Sequence, residues 1–151
     1  AGPAKIGKVV GGDAKQGQKL VNRFLSNMPA LKNLRNKVQE ASERGYIKGL
    51  DGRVFQVRSP HSALNTLLQG AGAIVCKQWL VCMIDMITAT GIDAKLVASI
   101  HDEYQFEVNH KDVQKFGEIT KKSIKITQEI LNINCSLDSE WKAGLTWAST
   151  H

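Results

Sequence analysis

Along the chain, apolar positions recur at helical spacing in some stretches and alternate with polar ones in others, which together predict an ordered set of elements. Asp13 is placed to cap a helix running to about Asn27, with Leu20, Val21, Phe24 and Leu25 on its inner face. A second helix starts at Pro29, turns Leu31, Leu34, Val38 and Ala41 inward and Lys32, Arg35, Asn36, Lys37 and Gln39 outward, and stops at Gly45. Tyr46 to Lys48 and Arg53 to Val57 alternate around Gly49-Leu50-Asp51-Gly52, the pattern of a short hairpin. Ahead of these, Ala1 to Gly12 is rich in glycine and carries too little pattern to predict an element.

From Ser62 to about Thr90 no proline intervenes and apolar residues lie nearly all around, which predicts one buried helix of roughly 40 Å at about 1.5 Å per residue. Lys95 to Ile100 and Tyr104 to Val108 are strand-like and flank His101-Asp102-Glu103, so the acidic pair falls at or beside a tight hairpin turn. Asn109 is placed to cap a last helix reaching about Leu131, with Val113, Phe116, Thr120, Ile124, Thr127 and Leu131 on one side. Its other side carries Lys111, Lys115, Lys121, Lys122 and Lys125, a solvated face. Asn132 to His151, which holds Trp141 and Trp147, is expected to return onto the sheet as a short strand and turns. These elements predict an α+β fold: a short antiparallel sheet with a hairpin, backed by one long helix and further helices, without internal repeats.

The 151 residues are one domain's worth of chain, and 42% hydrophobic with 23% charged residues exclude a disordered tail, a collagen-like fibre and a disulfide miniprotein. Cys76, Cys82 and Cys135 are odd in number, lack C-x-x-C spacing and have apolar neighbours, the pattern of reduced, buried thiols in an intracellular protein. No signal or transit peptide pattern is visible. The apolar run Ala71 to Ala89 contains Lys77, Gln78 and Asp85, which predicts a buried helix of a soluble protein and no membrane partner. Twenty Lys and Arg against 14 Asp and Glu leave a net charge of +6, which permits an anionic partner such as nucleic acid without requiring one.

Two groups of residues carry candidate chemistry. Asp102 and Glu103, set beside His101 at a turn, suit a hard cation such as Mg²⁺, which is held by one or two carboxylates plus substrate phosphates; the alternative is a solvated turn. Arg58, His61, Asn65 and Gln69 are all hydrogen-bond donors, and the last three recur every four residues along one helix face. Such a row could grip a duplex of any sequence through the minor-groove acceptors, or Asn65 and Gln69 could satisfy neighbouring backbone groups instead. Gly70-Ala71-Gly72-Ala73 predicts close approach of another backbone to the helix. The chain has no phosphate-binding glycine loop, no nucleophile motif and no zinc-ligand spacing.

The run GLDGRVFQVRSPHSALNTLLQGAGAIVCKQW, then SIHDEYQFEV and the ending WKAGLTWASTH, resembles the C-terminal palm region of family A DNA polymerases, above all the replicative polymerases of short-tailed phages. The likeness covers nearly the whole chain, and its helix and His-Asp-Glu motifs together are highly specific. It implies residues 1–45 as a helical segment following the fingers and 46–151 as the C-terminal part of the palm. Asp102 then matches one of the two carboxylates that hold the paired Mg²⁺ ions of nucleotidyl transfer, Glu103 its supporting neighbour, and His101 a contact to the primer end. Asn65 and Gln69 match residues that touch template and primer in the minor groove, while His61 stands where many bacterial relatives have Arg. Implied partners are primer-template DNA and a deoxynucleoside triphosphate, in the cytoplasm of a bacterial host or phage-infected cell.

The same likeness implies a much longer enzyme. The family's first catalytic Asp, its fingers helix with the Arg, Lys and Tyr that bind the incoming triphosphate, and its thumb have no counterpart in these residues. The chain alone is therefore expected to be inactive until an N-terminal portion, covalent or separately supplied, completes the two-metal site. Two rivals stand beside this reading: a DNA-binding module without catalysis, and a small Mg²⁺-dependent nuclease using His101, Asp102 and Glu103.

Overall fold

A computed structural model describes residues 2–150. In chain order the elements are α1 (Pro3–Val9), α2 (Ala14–Asn27), α3 (Pro29–Ser42), β1 (Tyr46–Lys48), β2 (Val54–Gln56), α4 (Pro60–Thr90), β3 (Ala94–Ile100), β4 (Glu103–Val108) and α5 (Val113–Ile130). The strands form two separate pairs, β1 with β2 and β3 with β4. The α+β architecture expected from the sequence is thus observed. The chain divides into two compact units, Ala1–Ile47 with Gln56–Thr66, and Lys48–Phe55 with Leu67–His151, and α4 passes from one into the other.

In the first unit, the Asp13 carboxylate accepts from the Gln16 N–H at 2.8 Å and caps α2, as the sequence predicts. The unforeseen element is α1, which opens with Pro3 in its first turn after the extended Gly2. Seven residues are too few to show a periodic pattern, and the helix is held by packing on α2. Gly17 is the buried residue of α2, because a Cβ there would meet the backbone of Pro3 and Gly7. This close approach corrects the expected inner face: Val21 and Leu25 are half-buried, but Leu20 is 42% and Phe24 55% exposed. Val38, Ile47 and Ala63 are the buried apolar side chains of this unit.

The second unit is built around Met83 and Ile87 of α4, Ile92, and Ile119 of α5, with Trp79, Leu80, Tyr104, Phe106 and Phe116 packed around them. α4 begins at Pro60, two residues earlier than expected, and is less buried than its composition suggests. Ile74, Cys82, Met83 and Ile87 are covered, while Leu68 and Val81 are more than half exposed. By length and apolar content α4 would suffice to cross a membrane. Asn109 caps a single 3-10 turn, His110–Asp112, from which α5 continues, and the buried face of α5 includes Thr120, Ile124 and Thr127 as expected.

The segment after α5 forms no strand among the described residues; it runs as an irregular chain to a 3-10 turn at Trp147–Ser149. Trp141 lies over Gly117 of α5 instead of joining the sheet. One thiol also departs from expectation. Cys82 is buried and Cys76 half-buried, but Cys135 is exposed, because it falls in this irregular segment and not on a packed face. The Gly70 prediction is corrected in kind: a Cβ there would meet the ring of Phe55, so a side chain approaches the helix and not a backbone.

Candidate active site

β3 and β4 pair antiparallel with Ile100 opposite Glu103 and Ser99 opposite Tyr104, so His101 and Asp102 form a two-residue turn. His101 has φ 54°, a left-handed conformation that a side chain larger than glycine seldom adopts. The pairing is irregular between Leu96 and Ala98, which leaves Val97 as an extra residue that bends β3. His101 and Asp102 are exposed, and Glu103 is half-buried.

Aromatic packing fixes this turn from below. Alternation along β4 sends Tyr104 and Phe106 to the helices, where Tyr104 meets Trp79 at 5.4 Å between ring centroids and Phe106 meets Phe116 at 4.8 Å. Trp79 in turn donates its indole N–H to the Thr120 carbonyl at 3.1 Å and to Ser123 Oγ at 2.9 Å, which joins α4 to α5. On the opposite face of β4 stand Glu103, Gln105 and Glu107, and the Gln105 amide donates to the Glu103 carboxylate. Asp102, Glu103, Gln105 and Glu107 line a cleft of about 970 Å³, with Trp141 and Trp147 of the last segment among its other walls.

Cys76 of α4 lies close enough to sense the turn. Burial pushes its thiol pKa up, and the negative charge of Asp102 adds to the shift. Burial and then Cys76 push the Tyr104 phenol up, while a hydrogen bond with the Ser99 side chain pulls the other way. Gln69 is seven residues before Cys76, two turns or about 10.5 Å along the same stripe of α4. Sequence reasoning missed Cys76, Tyr104 and Trp79 as supports of the turn. The seven-residue interval from Gln69 to Cys76 was the available signal for the first of them.

The donor row is found in two places. Gln69, His101, Asp102 and Glu103 belong to the second unit; Arg58, His61 and Asn65 belong to the first. All four donors, Arg58, His61, Asn65 and Gln69, are exposed. Neither Asn65 nor Gln69 makes a side-chain hydrogen bond to another described residue, so neither caps neighbouring backbone. Among the described residues no three His, Cys, Asp or Glu side chains gather as a metal site. The exposed Asp102 of the turn, with the half-buried Glu103 beside it at the start of β4, fits part of a Mg²⁺ site, of the kind that substrate phosphates and a further carboxylate complete.

Comparison with known proteins gives these residues a context. The profile of DNA polymerase family A matches residues 1–149. The chain is 38% identical to a DNA-directed DNA polymerase of Enterobacteria phage T3 and 40% identical to one of Escherichia phage Phieco32, in both cases over its entire length. It is 34% identical to DNA polymerase I of Aquifex aeolicus over 85% of its length. It spans about a quarter of the length of each of these relatives, 25%, 26% and 23%. Among solved structures, the POL domain of Pol1 from M. smegmatis, in complex with DNA primer-template and dNTP, superimposes on 83% of the chain with a TM-score of 0.74 at 14% identity. The match takes in 24% of that chain.

Proposed function

Because the chain belongs to DNA polymerase family A, we propose that it is the part of a template-directed DNA polymerase that supplies one catalytic carboxylate and primer-template contacts. The observation that carries this reading is the turn itself. Asp102 stands exposed at the tip of an antiparallel hairpin whose base is pinned by Trp79 and Phe116, so the carboxylate is rigidly backed and openly presented.

The reaction joins a primer 3′ hydroxyl to the α-phosphorus of a deoxynucleoside triphosphate. The new P–O bond forms in line as the bond to pyrophosphate breaks, and the hydroxyl loses its proton. Asp102 would hold Mg²⁺ with Glu103 in support, and when bound the ion supplies charge to stabilise the phosphoryl oxygens and lower the pKa of the attacking hydroxyl. His101 orients the primer end. Arg58, His61, Asn65 and Gln69 reach the duplex from α4 and the residues before it, and their donors suit the N3 and O2 acceptors that every base pair shows in the minor groove. That recognition is independent of sequence but sensitive to pairing geometry, as copying any template requires.

The second carboxylate of the pair and the triphosphate-binding helix come from the rest of the polymerase. The 151 residues alone therefore bind DNA without extending it, and the whole enzyme works in the cytoplasm of a bacterial or phage-infected cell. The test is primer extension. Asp102→Asn in the complete polymerase abolishes incorporation while leaving primer-template affinity within about threefold, and the isolated chain, free of contaminating polymerase, incorporates nothing. Templated incorporation by the chain alone, or an active Asp102→Asn enzyme, overturns the assignment. DNA binding without any dependence of activity on Asp102 would favour the non-catalytic module.

A further inference from the structure

Glu103, Gln105 and Glu107 share one face of β4, where residues two apart stand about 6.8 Å from each other. That interval is within the reach of a glutamine, and the Gln105 amide donates to Oε1 of the Glu103 carboxylate. The residue opposite Gln105 is Ala98, whose methyl leaves the amide room to turn along the strand. The extra residue Val97 sets this pairing, because Leu96 already stands opposite Phe106. Both partners of the bond are half-buried and so partly shielded from water.

The chemical type of the donor matters. The acids Asp102, Glu103, Glu107 and Glu140 line the cleft and, among the described residues, Lys142 is the one cation that does so. A lysine or arginine beside Glu103 would fix its carboxylate but offset the charge that a metal ion requires, and a carboxylate at position 105 would repel it. An amide is a neutral donor: it restrains the rotation of the carboxylate and leaves its negative charge whole. Carboxylates that serve a metal ion are commonly held by such a bond, and loss of the partner lowers metal affinity about 10- to 100-fold.

We propose that Gln105 is a positioning residue of the polymerase site, holding the Glu103 carboxylate in the orientation from which it supports a cation at Asp102. The inference rests on the reading of Asp102 and Glu103 as a cation site and extends it to a residue that acts only through Glu103. It is tested with terbium, a hard trivalent cation that takes oxygen ligands, titrated into the 151-residue chain and read by luminescence on excitation of the aromatic side chains of the cleft. Gln105→Met, which keeps the length of the side chain and removes its donor, weakens terbium binding about tenfold. In a Glu103→Gln background the same change has no further effect, because the carboxylate it acts through is gone. In the complete polymerase, Gln105→Met raises the Mg²⁺ concentration for half-maximal primer extension about tenfold and alters the rate at saturating Mg²⁺ by less than about twofold.

Unchanged terbium affinity in Gln105→Met, or equal losses with and without the Glu103 carboxylate, would overturn the proposal. A measurement free of substitution at position 105 stands beside these. The side-chain amide resonance of Gln105 moves when lanthanum, a diamagnetic cation of the same chemistry, saturates the unmutated chain, and a resonance that stays in place would overturn it too. Asp102→Asn separates the two readings. If it leaves the terbium titration unchanged, the cation site fails and the positioning role with it; if it abolishes binding while Gln105→Met does not weaken it, the positioning role alone fails. Circular dichroism of each variant confirms that the fold is retained.

Discussion

The indole of Trp79 stands 5.4 Å from the phenol ring of Tyr104 at an interplanar angle of 59°, and Tyr104 is two residues past Asp102. One aromatic contact therefore fixes the height of the turn carboxylate above α4. The same indole is anchored behind by Thr120 and Ser123 of α5, so β4, α4 and α5 meet on a single side chain.

Trp79 should accordingly be costly to remove and cheaper to shorten. Trp79→Ala is expected to destabilise the chain by about 3 kcal/mol through lost packing. Trp79→Phe keeps a ring against Tyr104 and loses only the N–H, at about 1 kcal/mol. Urea unfolding followed by circular dichroism orders the two, and equal losses would show that the ring contact contributes nothing.

Much of this arrangement is legible in the sequence. The strands either side of His101-Asp102-Glu103 alternate cleanly, and α5 has a regular apolar stripe, so hairpin and helix fall within a few residues of expectation. What was hidden depends on contact and not on period. α1 is too short to show periodicity and is held by a glycine approach that no hydropathy pattern encodes. Phe24 looks like a core residue by spacing, yet the buried position on that helix is Gly17. The last segment carries two tryptophans that suggest a strand, but Trp141 finds its partner over Gly117 of a helix.

The thiol of Cys76 offers a reporter for the charge on Asp102. Its pKa lies above the ordinary 9.0, from burial first and from Asp102 second. Neutralising the carboxylate in Asp102→Asn removes the second cause, so the pH at which Cys76 is half alkylated should fall, and saturating Mg²⁺ should lower it in the unmutated chain. The measurement is iodoacetamide labelling against pH in a Cys135→Ser background, since Cys135 is exposed. An unchanged profile in both cases would separate Cys76 from the turn.

Stability should decline in alkali. Cys76 and Tyr104 have pKa values above their ordinary 9.0 and 10.0, so the folded chain keeps protons that the unfolded chain releases. Wherever the folded state binds more protons, stability falls as pH rises; the loss sets in as pH approaches 9.0 from below and continues until each raised pKa is passed. Well below pH 9.0, where the thiol is protonated in both states, neither group contributes a slope. Urea midpoints at successive pH values test this, and Cys76→Ser, which cannot ionise, should flatten the first part of the decline.

Gln69 should matter for DNA geometry and hardly at all for the fold. Its amide is exposed on α4 and bonds to no described side chain or backbone group, so Gln69→Ala should change stability by less than about 0.5 kcal/mol. On a primer-template duplex the amide gives up one neutral hydrogen bond of about 1 kcal/mol, or about fivefold in affinity. Because no charge is lost, the salt slope stays the same. Single-stranded DNA presents no paired minor groove, so its affinity should be unaffected. Titration of the chain with duplex and single-stranded oligonucleotides of equal length decides the matter: a duplex-specific loss at constant slope assigns Gln69 to the minor groove, and equal losses on both remove it from the recognition face.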